Sequence, residues 1–218
     1  MKILIISNKP VFPTLDGGSL ATKKIFLDLK KEYQYVDIIA LKNKKTILPK
    51  TLKPNNNQTI IDINTNFNLF KLITSFFNKN SYQAIRFYNP KTENRIIKII
   101  QEKKYNYILF EGVFAAVYLK KIKLLCNCKT IIRTHNVEHE IWKNLCANSK
   151  NIIKKLIYYF LQTQIKKWEN FICSKADFLF CISKNDQKYF NQILNTKTEL
   201  LPTSFSTKQR KKPKAGSK

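Results

Sequence analysis

Short, unbroken apolar runs separated by segments of helical period constrain this chain more than any other feature. Ile3-Leu4-Ile5-Ile6, Val36 to Leu41, Thr59 to Ile63, Tyr107-Ile108-Leu109-Phe110, Lys129 to Arg133, Phe178 to Ile182 and Thr198 to Leu201 read as strands. Most are apolar along their length rather than at alternate positions, the pattern of strands covered on both faces. Between them, Ser19 to Leu29, Phe67 to Phe77, Pro90 to Lys104, Val113 to Lys121, Glu138 to Ala147, Ile152 to Phe171 and the stretch capped by Ser183 carry helical spacing. Alternation of this kind predicts an α/β fold, a doubly wound and mostly parallel Rossmann-like sheet. The polar stretch Lys42 to Asn57, with Pro49 and Pro54, reads as an exposed excursion.

The 218 residues suffice for one domain over 1–204, followed by a basic, aperiodic tail over 205–218 that is expected to be disordered. The formal charge of +26 would suit nucleic acid or an anionic membrane surface. Its composition argues against the first: of 40 basic residues only Arg86, Arg95, Arg133 and Arg210 are arginines, the side chain favoured for bidentate reading of bases and phosphates. Abundant lysine, asparagine and isoleucine fit an AT-rich coding sequence, so part of the charge follows codon usage. No nucleic-acid partner is expected. The basic, aromatic segment Asn151 to Phe171 suits an anionic bilayer surface, and equally a long helix with one face on the sheet and snorkelling lysines.

Five cysteines with no C-x-x-C pair, together with an N-terminal apolar run too short for a leader or a span, imply reduced thiols and a cytoplasmic setting. Peripheral attachment at the inner membrane is compatible with this. Cys126-x-Cys128 is a weak metal signal, and His135, Glu138 and His139 do not form H-E-x-x-H, so no metal is expected.

Three connections at strand ends carry candidate chemistry. Asp16-Gly17-Gly18-Ser19 joins the first strand to the first helix, where glycines let amide N–H groups approach a phosphate or sugar; a glycine turn capped by Ser19 is the simpler alternative. The segment is neither G-x-G-x-x-G nor a Walker loop, which disfavours nicotinamide dinucleotides and P-loop hydrolysis. Glu111 ends another strand and would bond acceptor hydroxyls, or be only a solvated acid. Arg133-Thr134-His135-Asn136-Val137-Glu138 delivers a histidine from strand to helix, the place where open α/β sheets bind ligands.

Met1 to Asn8 with Pro13-x-x-Asp16-Gly17-Gly18-Ser19, then Arg133 to Glu138 with Ile141-Trp142, then Ala176-Asp177-x-x-x-Cys181-Ile182-Ser183, then Leu200-Leu201-Pro202, resemble the N-terminal half of a family 4 glycosyltransferase of the two-domain GT-B type. The resemblance covers residues 1 to about 204. It implies retaining sugar transfer from a nucleotide-diphosphate sugar to a glycan or lipid-linked acceptor, in glycan or glycolipid synthesis, with no required metal or other cofactor. His135 inherits the catalytic position near donor sugar and phosphate. Gly17, Gly18 and Ser19 inherit the donor-phosphate loop, and Asp16, Glu111, Arg133, Asn136 and Glu138 become candidate acceptor contacts. In the family, a C-terminal domain supplies most of the nucleotide pocket and the cations that neutralise the diphosphate. None of its motifs follows Pro202, so this half is expected to be inactive alone, with a separate donor-domain chain as a candidate partner. A non-catalytic membrane-associated or carbohydrate-binding module of the same fold is the alternative.

Overall fold

The computed structural model describes residues 1–48, 57–77 and 81–202. Its frame is a seven-stranded, all-parallel sheet of β1 (Lys2–Ser7), β2 (Tyr35–Asn43), β3 (Gln58–Ile63), β4 (Tyr107–Glu111), β5 (Lys129–Thr134), β6 (Phe178–Cys181) and β7 (Lys197–Leu200), in the order β3-β2-β1-β4-β5-β6-β7. The order reverses at β1, so the crevice between β1 and β4 is the topological switch point. The helices are α1 (Gly17–Glu32), α2 (Leu69–Phe77), α3 (Tyr82–Ile85), α4 (Pro90–Lys103), α5 (Leu119–Leu125), α6 (Glu138–Asn148), α7 (Ile152–Lys175) and α8 (Lys184–Ile193).

The unbroken apolar runs are strands because both sheet faces are covered. One core layer gathers Leu4, Ile6, Ile39, Ile96, Ile108, Phe110, Ile132 and Leu179, and the other Ile3, Ile5, Phe26, Val36, Ile38 and Leu109. Alternate residues of β1 therefore feed opposite layers. The doubly wound α/β reading holds.

Differences from the sequence reading lie at element ends. β2 runs on to Asn43, so Lys42 and Asn43 belong to the sheet; part of the expected polar excursion, and the whole expected tail, lie outside the described residues. The segment from Val113 opens as a 3₁₀ turn over Ala115–Tyr118 before α5, and α3 was not expected at all. Ser7 pairs with Ala40, so β2 and its partner β3 continue beyond the end of β1 and raise one side of the sheet's C-terminal edge by roughly 10 Å.

Candidate functional site

Because every strand is parallel, the loops after β1, β4, β5 and β6 open on one edge. The first is shaped by α1. Asp16 caps the helix: its Oδ1 accepts the Ser19 N–H at 2.8 Å, while Ser19 Oγ accepts the N–H groups of Leu15 at 2.8 Å and Asp16 at 2.9 Å. This reciprocal cap contributes about 1 kcal/mol. Ser19 is fully buried by it, so the structure places Ser19 beneath the loop rather than in the cleft. Lys9 Nζ pairs with Asp16 Oδ2 at 2.7 Å and lies across Gly18, where a Cβ would meet it at 2.7 Å. A Cβ at Gly17 would meet nothing within 4 Å. Gly17 thus faces open space.

The centre of the edge is a buried ion pair. Glu111, at the end of β4, and Arg133, on β5, are register partners, and each is 1% exposed. Arg133 Nη1 donates to Glu111 Oε2 at 3.0 Å, His135 Nε2 lies 2.8 Å from the same oxygen, and Thr22 Oγ1 from α1 lies at 3.2 Å. Burial pushes the Glu111 carboxyl up, but the His135 hydrogen bond and the Arg133 charge outweigh it and hold the group below its ordinary value. An ionised carboxylate only accepts. His135 Nε2 therefore carries a proton, and its 3.3 Å approach to Arg133 Nη1 is a contact between two donors rather than a hydrogen bond. In the neutral imidazole this leaves Nδ1 as an acceptor. Glu111 Oε1 and Arg133 Nε have no partner among the described residues.

Gly17, Gly18, Ala21, Arg133, His135, Asn136 and Ile182 line an open cleft of about 320 Å³. Five expected positions from two distant segments, Gly17, Gly18, Arg133, His135 and Asn136, therefore meet here. Glu111 is not at the surface; it lies under the cleft, bonded to Arg133 and His135. Glu138 and Asp16 are not among the lining residues either. Glu138 sits at the start of α6, where burial and the neighbouring Glu169 carboxylate push its carboxyl up to about 7.

Three participants escaped the sequence reading. Lys9 and Thr22 become partners of Asp16 and Glu111 only through the fold. Glu169, fully buried on α7, accepts the Glu138 N–H at 2.8 Å and lies 2.8 Å from His139 Nδ1, so it caps α6 where Val137 has no capping side chain. A signal for Glu169 did exist. It falls on the apolar stripe Leu161, Ile165, Ile172 of α7, and a charge at a core-facing position implies a buried partner.

No family model matches the sequence. An uncharacterized 44.6 kDa protein in the cps region of Klebsiella pneumoniae is 32% identical over 96 residues, which are 44% of this chain and 24% of that protein. The chain thus matches about a quarter of that curated relative. Among solved structures, the sucrose-phosphate synthase of Thermosynechococcus elongatus superposes with a TM-score of 0.59 at 12% identity, over 93% of this chain and 48% of that one. The Phytolacca americana UGT2 complexed with UDP-2fluoro-glucose and pterostilbene superposes with a TM-score of 0.53 at 8% identity, over 92% of this chain and 53% of that one. At such identities the likeness is one of fold. The chain shares its Rossmann-like, all-parallel α/β fold with about half of each of these structures.

Proposed function

We propose that this chain is the acceptor-side half of a retaining, nucleotide-sugar-dependent glycosyltransferase acting in glycan or glycolipid synthesis. The observation that carries the reading is the convergence of Gly17, Gly18 and the Glu111–Arg133–His135 cluster on one cleft beside the topological switch point. Glu111 fixes the His135 ring, whose Nδ1 then accepts a donor-sugar hydroxyl when neutral or donates to a phosphate oxygen when protonated. The amides at the start of α1 face the phosphate side, with no Cβ at Gly17 to keep a ligand away. Asn136 and the exposed carboxylate of Asp16 meet the acceptor; Arg133 and Glu138 act from beneath and beside the cleft.

Charge arithmetic supports the reading that this half does not suffice. Arg133 is neutralised by Glu111 and Lys9 by Asp16, so neither cation of this wall offers a free charge to a departing diphosphate. Stabilising that developing charge is commonly the largest catalytic term. A second, donor-binding domain, on the same or another chain, supplies it in this proposal. Saturation-transfer NMR with UDP-hexoses and GDP-hexoses tests both parts. Weak, millimolar contact through the sugar and phosphate, lost in His135→Ala, is expected. Contact unchanged in that variant would overturn the site; micromolar affinity of the chain alone would overturn the need for a donor domain.

One observation favours attachment to an anionic bilayer as an additional property. Each of the first six residues of α7 is exposed, yet four of them are Ile152, Ile153, Leu156 and Ile157, interleaved with Lys154 and Lys155. No described helix is long and apolar enough to cross a membrane. Such a segment lies in the interface, apolar residues among the acyl chains and lysines at the headgroups.

A further inference from the structure

A second pocket stands on the raised side of the same sheet edge. It encloses about 130 Å³ where β3 ends and α2 and α4 begin, and Asn64, Asn66, Asn68, Lys71, Arg86 and Asn89 supply its polar lining. Its chemistry is one-sided. Asn64 Oδ1 accepts the Asn66 N–H at 3.1 Å, Asn68 Oδ1 the Lys71 N–H at 2.9 Å, and Asn89 Oδ1 the N–H groups of Lys91 at 2.9 Å and Thr92 at 3.2 Å. Each of these carbonyl oxygens already accepts a backbone N–H, while the side-chain amide N–H groups bond to nothing else among the described residues and are free to donate.

Arg86 is held rigidly. Its Nε donates to Thr65 O at 2.8 Å, Nη2 to the same oxygen, and Nη1 to Gln83 Oε1 at 3.0 Å. Three of its five N–H groups are so used, and the rest remain. Lys71 makes no ion pair or side-chain hydrogen bond among the described residues. Among the described residues no carboxylate lines the pocket; Glu93 receives the hydroxyl of the lining Tyr88 at 3.1 Å.

From this donor-rich, cationic lining we infer that the pocket binds an oxyanion, either the carboxylate of an acidic sugar or a phosphate monoester. Both present oxygens with no proton to give and match amide, guanidinium and ammonium donors. The pocket lies four strand positions from β5, roughly 19 Å along the edge from His135, the separation of a distal group on an extended ligand rather than of the reacting atoms. If the glycosyltransferase reading holds, the inferred ligand is an acidic or phosphorylated acceptor; the binding itself does not depend on that reading.

Binding is measured on the full chain by NMR of asparagine and arginine side-chain N–H resonances, with inorganic phosphate, glucuronate and uncharged glucose as probes. Phosphate or glucuronate should shift the Asn64, Asn68, Asn89 and Arg86 signals and glucose should not; comparison of the two anions identifies the source. Lys71→Ala and Asn66→Ala remove side chains that bond to no other side chain or backbone group among the described residues and should each weaken binding about ten-fold without disturbing the fold. His135→Ala should leave it unchanged, which separates this site from the cleft. Absence of shifts with both anions, equal shifts with glucose, or affinity unaltered in the Lys71→Ala/Asn66→Ala double variant would overturn the inference.

Discussion

At the scale of single residues, Gly17 separates structure from function most cleanly. A methyl added there meets open space, and alanine in a helix is favoured over glycine by about 0.5–1 kcal/mol, so Gly17→Ala should hold or raise the melting temperature. The same methyl would stand where a ligand must approach the amides. Loss of sugar-nucleotide contact with intact thermal stability is the expected result, and unchanged contact would remove the loop from the site. Glu111 behaves in the opposite way. Glu111→Gln leaves Arg133 buried without its counter-charge and should cost about 3–5 kcal/mol by denaturant unfolding. Glu111→Leu with Arg133→Met should recover part of that loss, because no unpaired charge remains. Glu138 sets a pH dependence. Its carboxyl is protonated in the fold up to about 7 but ionises near its ordinary 4.5 in the unfolded chain, so the folded state holds the extra proton between those values. This group's contribution is therefore full below pH 4.5 and is lost as the pH rises towards 7. Glu138→Gln should remove that decline and gain about 1–2 kcal/mol at pH 8 relative to the parent, with little gain at pH 4. Of these residues, the place of the glycines and His135 at the cleft could be read from the sequence, because it follows from position at a strand end. That Glu111 is a buried partner of Arg133 could not, since the contact needs the β4–β5 register.

At the scale of elements, the strands were legible because burial on both faces leaves an unbroken apolar signature, as in Leu4-Ile5-Ile6 and Ile38-Ile39-Ala40-Leu41. α3 was not legible: four residues carry too little periodicity, and Tyr82–Ile85 is held through the Gln164 side chain, which accepts the Tyr82 N–H at 3.2 Å and donates to Ser75 O at 2.8 Å. α7 read correctly as basic and aromatic, but the sequence could not say which of its residues pack. The answer divides the helix. Leu161, Ile165, Ile172 and Cys173 are buried, whereas Ile152 and Leu156 are 68% and 64% exposed. The exposed half makes an element-level prediction. Ile153→Glu with Leu156→Glu removes apolar contacts from water-facing positions and puts two negative charges among the lysines, so sedimentation with phosphatidylserine vesicles should fall at least ten-fold while the melting temperature changes little. Attachment that rises as the parent chain is heated through its melting, with no loss in the variant, would show that unfolded protein rather than α7 carries it.

At the scale of the whole molecule, charge is the least local property and opposes folding. Forty basic residues against fourteen acidic ones bring like charges together when the chain compacts. Several ion pairs do form, but Lys24–Asp28, Lys31–Asp28, Lys98–Glu102 and Lys143–Glu140 are exposed, solvent-screened pairs that stabilise the fold little. Diffuse repulsion among the remaining lysines therefore dominates the long-range electrostatics. Salt reduces the Debye length from about 10 Å at 0.1 M to about 3 Å at 1 M, which weakens repulsion between separated surface charges far more than the desolvated Glu111–Arg133 contact. The melting temperature should consequently rise between those two concentrations of sodium chloride, in scans at constant pH. Vesicle attachment should fall over the same range, because there the lysines act in attraction to lipid phosphate. The opposite signs are the test. If stability and attachment weakened together, the surface ion pairs would outweigh the repulsion, and the excess of lysine would have to be a structural device rather than a charge the fold tolerates.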